Sequence, residues 1–188
     1  MEIYKYIFKK RKILSSDDCD HIIKLLDDSD LIENIRGYSY IDGNLESVEF
    51  SSLKNNLFDA VMEYIGKHPY LKFEYNDRCE LVLNYSFMIK KFLAGDFYGC
   101  KLTSRPNEAE HMEEGPIGTE GEKRILAWMV YLNDIKHAGG THFPQQQFTT
   151  RPRAGDLYIW PAGWTHSHYG IPAPKEKKYF ANGWCSLK

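Results

Sequence analysis

Two histidine-containing clusters hold the side chains best suited to bind a metal ion. In the first, one residue separates His111 from Glu113, so an extended backbone would project both to the same side. In the second, later in the chain, His166 and His168 have the same spacing. Two imidazole nitrogens and one carboxylate on one side of Fe(II) leave coordination positions open for reactants. His111, Glu113 and one histidine of the second cluster could form such an iron centre, but the spacing alone is weak evidence and the surrounding sequence must decide.

Strand-like segments dominate the part of the chain that must position the second cluster. The residues from 80 to 188 contain ELVLNYSFMIKKFL, RILAWMVYLND, DLYIWP and KYFANGWCSL, which are rich in β-branched and aromatic residues. Turn-forming stretches with Gly and Pro separate them. The polar segment from Gly99 to Arg124 is either a mobile flap beside the site or an insertion.

The residues from 1 to 79 look helical instead. Ser15 or Ser16 can cap a first helix, and a second is predicted from Ser52 to His68, whereas IRGYSYIDGNLES is rich in turn formers. Helices followed by short strands predict a β barrel or sandwich covered by helices. Since we find no repeat or linker, we expect a single domain over 1–188, with helical support at 1–79 and a β core at 80–188.

Composition excludes some classes of partner and location. With 188 residues and a net charge of −2, the chain has no electrostatic footprint for nucleic acid. It has no apolar run long enough to cross a membrane, and no signal-peptide pattern. The four cysteines form no CxxC pair and read as reduced thiols. These features favour a cytoplasmic protein without nucleic-acid or membrane partners.

Four blocks between Ile89 and Trp184 resemble the prolyl 4-hydroxylase-like family of Fe(II)- and 2-oxoglutarate-dependent oxygenases. In order they are IKKFLAGDFYG, then RILAWMVYLND with AGGTHFP, then RPRAGDLYIWPAGWTHSHYGIP, and finally KYFANGW. The resemblance implies a mostly β (α+β) fold, a double-stranded β-helix (jelly-roll) core with supporting N-terminal helices. It implies a dioxygenase that hydroxylates a peptidyl side chain such as proline, so a protein or peptide substrate is expected. Fe(II) and the cosubstrate 2-oxoglutarate are the implied cofactors, and ascorbate is compatible with them.

The resemblance also assigns residues. It implies that His111, Glu113 and His168 bind the metal and form the catalytic centre. Both His166 and His168 would fall on one strand face, but His168 has the family spacing, four residues before Pro172 and ten before Lys178. Lys178 would pair with the distal carboxylate of 2-oxoglutarate, because a buried dicarboxylate needs a cation at its far end. Tyr131 matches a family position whose phenol binds the same carboxylate, although a core tyrosine is the alternative.

Some features depart from the family or leave its assignments open. The usual aspartate ligand would be Glu113 here, and more residues than usual separate Gly95 from His111. His142 could line the pocket or lie on an exposed strand, and Arg124 could face substrate or anchor the long segment. A catalytically silent β-helix module that binds a peptide or sugar is the alternative to the enzyme. A cupin-type metal enzyme is a further one.

Overall fold

The computed structural model describes residues 2–30, 32–34, 38–68, 81–95 and 123–187, and the architecture is that of these residues. They form a mostly β protein with two α-helices. The strands are β1 (Glu2–Tyr4), β2 (Ile7–Lys10), β3 (Ile32–Asn34), β4 (Tyr38–Asn44), β5 (Leu81–Leu83), β6 (Ser86–Phe92), β7 (Lys123–Tyr131), β8 (Thr141–Phe143), β9 (Phe148–Thr149), β10 (Leu157–Pro161), β11 (Tyr169–Gly170) and β12 (Lys178–Leu187). The helices are α1 (Ser16–Asp27) and α2 (Ser51–Lys67).

Two antiparallel sheets account for all of these strands. The large sheet has the order β1-β2-β10-β7-β12-β6-β4-β3, and β5 also pairs with β12. The small sheet has the order β11-β8-β9. The long strand β12 lies between β7 and β6, with Phe180 opposite both Tyr131 and Lys90. Because both faces of β12 are largely buried, the sheet has apolar layers on its two sides.

The helices cover one face of the large sheet, which we call the outer face. Apolar side chains of α1 and α2, such as Leu26 and Leu57, pack there with Trp128 and Ile159 of the sheet. The capping box of α1 explains where this helix begins, since Ser15 accepts from the Asp18 amide and Asp18 accepts from the Ser15 amide. None of the described helices is both long and apolar enough to cross a membrane.

The opposite face, called the inner face below, carries a second apolar cluster. Its members come from both sheets and are Ile7, Tyr38, Phe92, Ala127, Met129, Tyr131, Phe143, Tyr158, Trp160 and Phe180. Phe143 belongs to the small sheet, so the small sheet covers part of the inner face. An apolar layer therefore lies between the two sheets.

The N-terminal region differs from the helical support that the sequence predicted. Both helices are present near their predicted positions, but β1 to β4 also lie there, and β2 and β4 pair with β10 and β6 of the large sheet. The segment read as turns contains β4, in which Tyr38 and Tyr40 face inward and Gly43 fits under the Phe87 ring. The turn-forming residues of this segment did not predict a strand. Packing against β6 nevertheless stabilises one, because tertiary contacts outweigh local propensity.

Candidate active site

His168 is a buried side chain held between two aromatic rings of the inner face. Its ring centroid lies 5.2 Å from that of Phe143 and 5.1 Å from that of Trp160. The His168 Nδ1 atom is 3.0 Å from the His166 carbonyl oxygen, an acceptor, so Nδ1 carries the proton. The lone pair is therefore on Nε2. A backbone carbonyl that fixes the tautomer in this way is the usual support of a metal-binding histidine.

His166 is also buried, but both of its ring nitrogens have a partner. Nε2 lies 3.0 Å from the Lys5 carbonyl oxygen, and Nδ1 lies 3.0 Å from Thr165 Oγ1. Burial lowers the pKa of His166, although the Lys5 carbonyl opposes that shift. A neutral ring that donates to Lys5 and accepts from Thr165 satisfies both contacts. The ring thus connects the loop before β11 to the turn between β1 and β2.

The local backbone around these histidines is not the strand expected from the sequence. Trp164–His166 forms a 3-10 turn, and extended backbone follows at Ser167. The two histidines therefore do not share a strand face, and the contacts of each ring distinguish them. Gly163, which precedes the turn, has extended backbone and open space at its Cβ position.

Lys178 lies fully inside the inner face near the phenol of Tyr131. Its Nζ atom is 5.6 Å from the centroid of the Tyr131 ring and 5.2 Å from that of Phe180. Burial, with a smaller contribution from the charge of Lys90, lowers the pKa of Lys178 to about 7. Gly170 lies beside it, since a Cβ there would be 3.7 Å from Lys178 Nζ. A buried amine of this kind is stabilised as a cation by an anionic ligand.

Tyr131 belongs to a buried hydroxyl cluster with two threonines. Its Oη atom is 2.6 Å from Thr150 Oγ1 and 3.2 Å from Thr141 Oγ1. The Thr141 amide donates to Thr150 Oγ1 at 2.7 Å, so the Thr150 hydroxyl proton can be donated to Tyr131. The phenol proton is then available for an acceptor. Burial raises the pKa of Tyr131 far above its usual range, so the phenol keeps that proton.

The Gly-Gly turn before β8 allows this cluster to form. Gly139 has a φ of +73°, and a Cβ on Gly140 would collide with the Thr150 carbonyl. Glycine at both positions lets Thr141 and Thr150 approach each other. The sequence analysis did not identify these two threonines, because they come from separate strands and neither forms a spacing motif with Lys178.

Arg124 and Trp184 form a second polar group at the other end of β12. The Arg124 guanidinium carbon lies 3.8 Å from the Trp184 ring centroid. The register shifts between Cys185 and Ser186, so that Ser186 faces Arg124 and Ile125 is the extra residue. Such a bulge can turn a side chain toward a site.

Of the eight buried side-chain polar atoms without a hydrogen-bond partner among the described residues, three belong to side chains of the inner face. They are Arg124 Nε, Asn182 Oδ1 and Trp160 Nε1. Such atoms are costly unless something binds them. His142, in contrast, has its Nδ1 atom 2.8 Å from Thr149 Oγ1 and its ring against Tyr169. It alternates with the inward-facing Thr141 and Phe143, so it faces away from the inner face.

His111 and Glu113 lie outside the described residues, as does most of the segment from Gly99 to Arg124. Among the residues that are described, no three His, Cys, Asp or Glu side chains come together as a metal site. Of the described cysteines, Cys19 and Cys185 are buried thiols, and burial raises the pKa of both. They therefore stay protonated and lie apart from the histidine cluster.

The chain was compared with known families and structures. Residues 102–186 match the model of the 2OG-Fe(II) oxygenase superfamily. No curated protein matches the chain. The matched residues include His168, Lys178, Thr141 and Thr150. The match does not favour the alternative of a catalytically silent module that binds a peptide or sugar.

Three of the solved structures that share the fold are described as prolyl hydroxylases. The collagen prolyl hydroxylase of Paramecium bursaria Chlorella virus-1, in complex with 2OG, is 18% identical with a TM-score of 0.70, covering 97% of this chain and 96% of that one. A prolyl-4-hydroxylase of Pseudomonas putida is 17% identical with a TM-score of 0.66, covering 96% and 92%. A Trichoplax adhaerens prolyl hydroxylase in complex with a peptide fragment is 13% identical with a TM-score of 0.64, covering 96% and 83%. The family match and the shared fold support the resemblance: residues 102–186 match the 2OG-Fe(II) oxygenase superfamily, and the chain has the fold seen in these prolyl hydroxylase structures.

Proposed function

We propose that the protein hydroxylates a prolyl side chain in a peptide or protein, with 2-oxoglutarate as cosubstrate. The observation that carries this proposal is the composition of the inner face, where a tautomer-fixed histidine and a buried lysine are both present. The prolyl substrate is suggested by three of the solved structures that share the fold, which are described as prolyl hydroxylases.

The proposed ligands, two histidines and one carboxylate, suit Fe(II), the metal that this family uses. We propose His168 as the histidine ligand of the second cluster, because its Nδ1–H is bound to a carbonyl and Nε2 has the lone pair. His166 is disfavoured because its two nitrogens already serve as donor and acceptor. His111 and Glu113 remain the proposed partners of His168. When bound, Fe(II) supplies the dioxygen chemistry, while the protein orients the reactants and excludes water.

Lys178 and Tyr131 suit the distal carboxylate of 2-oxoglutarate. A carboxylate next to Lys178 would accept a charge-assisted hydrogen bond from the ammonium and another from the Tyr131 phenol. Thr150 would hold the phenol in place through its 2.6 Å contact. The surrounding rings of Tyr131 and Phe180 keep water away, which strengthens the ion pair.

We further propose that the peptide lies along Trp184 and Arg124. The Trp184 ring supported by Arg124 offers a flat aromatic surface, and aromatic surfaces are the usual partners of proline-rich segments. Asn182 Oδ1 and Arg124 Nε provide an acceptor and a donor for peptide amides and carbonyls. These two groups could therefore orient a backbone while the ring holds a side chain.

The two sheets are proposed to be the halves of a double-stranded β-helix, with the active site between them. The whole chain is proposed to be one domain, because strands from both halves of the sequence lie in the large sheet.

The decisive experiment measures succinate formed from 2-oxoglutarate in the presence of Fe(II) and a panel of proline-containing peptides. We expect turnover to be stimulated by at least one of these peptides, with a mass increase of one oxygen on proline. Matched peptides with alanine in place of proline are the control. Stimulation without any dependence on proline would reject the prolyl substrate, and absence of turnover with all 2-oxo acids would reject the oxygenase activity.

A further inference from the structure

A second lysine, Lys90, is buried on the inner face next to Lys178. Lys90 is 7% exposed and Lys178 is 6% exposed. Lys90 lies on β6 directly opposite Phe180, and Lys178 lies opposite Phe92, so the two lysines are diagonal neighbours on adjacent strands. Diagonal pairs of this kind are about 7–8 Å apart at the backbone, within reach of long side chains.

Aromatic rings hold both ammonium groups in the same part of the pocket. Lys90 Nζ lies 5.2 Å from the Tyr38 ring centroid and 5.9 Å from that of Phe180. Lys178 Nζ lies 5.2 Å from the same Phe180 ring. The rings of Tyr38, Phe92 and Phe180 are stacked in sequence, with centroids 5.2 Å and 5.8 Å apart. Ring faces attract cations, and the ammonium groups of Lys90 and Lys178 both lie within about 6 Å of the centroid of the Phe180 ring.

We propose that Lys90 is a second cosubstrate-binding residue, which forms with Lys178 a two-lysine clamp on the distal carboxylate of 2-oxoglutarate. The inference rests on the proposed function, in which Lys178 binds that carboxylate. A carboxylate has two oxygens with about four acceptor positions, so two ammonium groups and a phenol can donate to it together. Burial, and to a smaller extent the charge of Lys90, lowers the pKa of Lys178, and an anion beside both lysines would oppose this shift.

The clamp can be tested with two ligands that differ only at the distal end. 2-Oxoglutarate and 2-oxopentanoate have the same carbon chain and the same keto acid, but 2-oxopentanoate ends in a methyl group. Dissociation constants are measured by titration calorimetry on the protein loaded with Mn(II), so the readout is binding and not activity. The variants are Lys90→Met, Lys90→Arg and Lys178→Met, with Lys91→Met as the matched control. Lys91 is the next residue on β6, but its Nζ pairs with Asp27 on the other face, 2.8 Å away.

In Lys90→Met we expect the dissociation constant of 2-oxoglutarate to rise by roughly ten- to a hundredfold, the usual range for a lost hydrogen bond to a charged group. The constant for 2-oxopentanoate should change less than about twofold, and this ligand also shows that the variant is folded. Lys90→Arg should recover most of the affinity, and Lys91→Met should bind both ligands like the wild type.

Lys90→Met with unchanged 2-oxoglutarate affinity, or with equal losses for both ligands, overturns the clamp. The proposed function is rejected by a different result, namely that Lys178→Met leaves the 2-oxoglutarate affinity unchanged or weakens both ligands equally. A crystal structure of the wild-type protein with Mn(II) and 2-oxoglutarate gives an answer independent of the variants. Lys90 Nζ within about 4 Å of the distal carboxylate supports the clamp, and a greater distance overturns it.

Discussion

Lys178 is the residue on which the cosubstrate proposal depends most. In Lys178→Ala a buried carboxylate would lose its cationic partner, and breaking such a buried pair costs about 3–5 kcal/mol. We therefore expect the 2-oxoglutarate concentration for half-maximal turnover to rise by about two to three decades. Iron binding should persist because the proposed ligands are untouched. Steady-state kinetics and iron content measure both quantities.

Controls for this prediction lie close by in the sequence. Lys175 and Lys177 are exposed, so Lys175→Ala and Lys177→Ala should leave the 2-oxoglutarate requirement unchanged. Lys178→Arg should recover part of the loss, since a guanidinium can donate to a carboxylate with two nitrogens. An unaltered requirement in Lys178→Ala would contradict the assignment of the cosubstrate site.

The lowered pKa of Lys178 predicts a pH-dependent affinity for 2-oxoglutarate. Before 2-oxoglutarate binds, the pKa of Lys178 is about 7, so its amine is mostly protonated below pH 7 and mostly neutral above it. The carboxylate binds the protonated form, so above pH 7 binding must take up a proton. The dissociation constant should therefore rise by up to about tenfold per pH unit between pH 7 and pH 9.

Calorimetry at several pH values, in buffers with different ionisation enthalpies, measures both the affinity and the proton uptake. Lys178→Arg is the matched control, because arginine stays protonated over this range and should bind without proton uptake. Proton release on binding in the wild type would have the opposite sign and would contradict the prediction.

His168 and His166 should differ sharply when each is changed to alanine. His168→Ala should lose most of the Fe(II) affinity, because removal of one of three ligands leaves no donor in the same position. His166→Ala should keep most of that affinity and instead lose thermal stability, since the contact to the Lys5 carbonyl is removed. Metal content and unfolding temperature of both variants distinguish the roles, and the reverse pattern would assign the ligand to His166.

The sequence could predict the positions of Lys178 and His168 because they are related by spacing to each other and to Pro172. It could not predict Thr141, Thr150 or the second lysine, Lys90. Thr141 and Thr150 reach Tyr131 because the small sheet packs against the large one, and Lys90 lies near Lys178 because β6 pairs with β12. The side-chain contacts that separate His166 from His168 also depend on Lys5, more than a hundred residues away.

At the scale of elements, the packing of β12 on the outer face depends on Gly183, because glycine has no side chain. A Cβ on Gly183 would lie 2.7 Å from Trp128 Cζ2 and 3.1 Å from Phe87 Cβ. Both neighbours are buried, so neither can move freely. We expect Gly183→Ala to reduce the free energy of unfolding by about 1–3 kcal/mol through overpacking.

Gly66 is the control for this prediction, because a Cβ there meets nothing within 4 Å and the residue lies in α2. Gly66→Ala should leave the free energy of unfolding unchanged or increase it by up to about 1 kcal/mol through helix propensity. Urea unfolding of both variants measures the difference. Equal stability of Gly183→Ala and the wild type would show that β12 can shift away from Trp128.

Helices and buried strands were predicted more accurately than irregular segments. Periodicity and capping located α1 and α2, and apolar runs located β7, β10 and β12. The hairpin of β1 and β2 was missed because its turn residues, Lys5 and Tyr6, have positive φ without being the glycine or asparagine that signals such a turn. The 3-10 turn at Trp164–His166 was missed because aromatic and β-branched residues there favour a strand by composition alone.

At the scale of the whole molecule, both halves of the sequence build the same sheet. β2 lies beside β10, and β4 lies beside β6, so strands from the first 79 residues flank the strands that carry the site on both sides. The helices of the same region supply much of the outer core, including Leu26, Leu57 and Tyr64. Tyr64 also donates a hydrogen bond of 3.0 Å to the Tyr6 carbonyl, which ties α2 to the hairpin of β1 and β2.

This shared sheet predicts that the second half cannot fold alone. In a fragment of residues 80–188, the outer face of β6, β7 and β12 would lose its helices, and β6 and β10 would become unpaired edges. Large exposed apolar surface and free strand edges lead to aggregation, not to a folded monomer. We expect the fragment to show no cooperative unfolding transition by calorimetry and no binding of 2-oxoglutarate.

The full chain under the same conditions is the reference, and co-expression of residues 1–79 with the fragment is a second test. If the first half is an integral part of the domain, the two pieces should associate and recover a cooperative transition, because each supplies the pairing partners that the other lacks. A fragment that unfolds cooperatively by itself and binds 2-oxoglutarate would instead show that residues 1–79 form a dispensable support. That outcome would require the inner face to keep Tyr131, Lys178 and His168 in position without Ile7 from β2 and Tyr38 from β4.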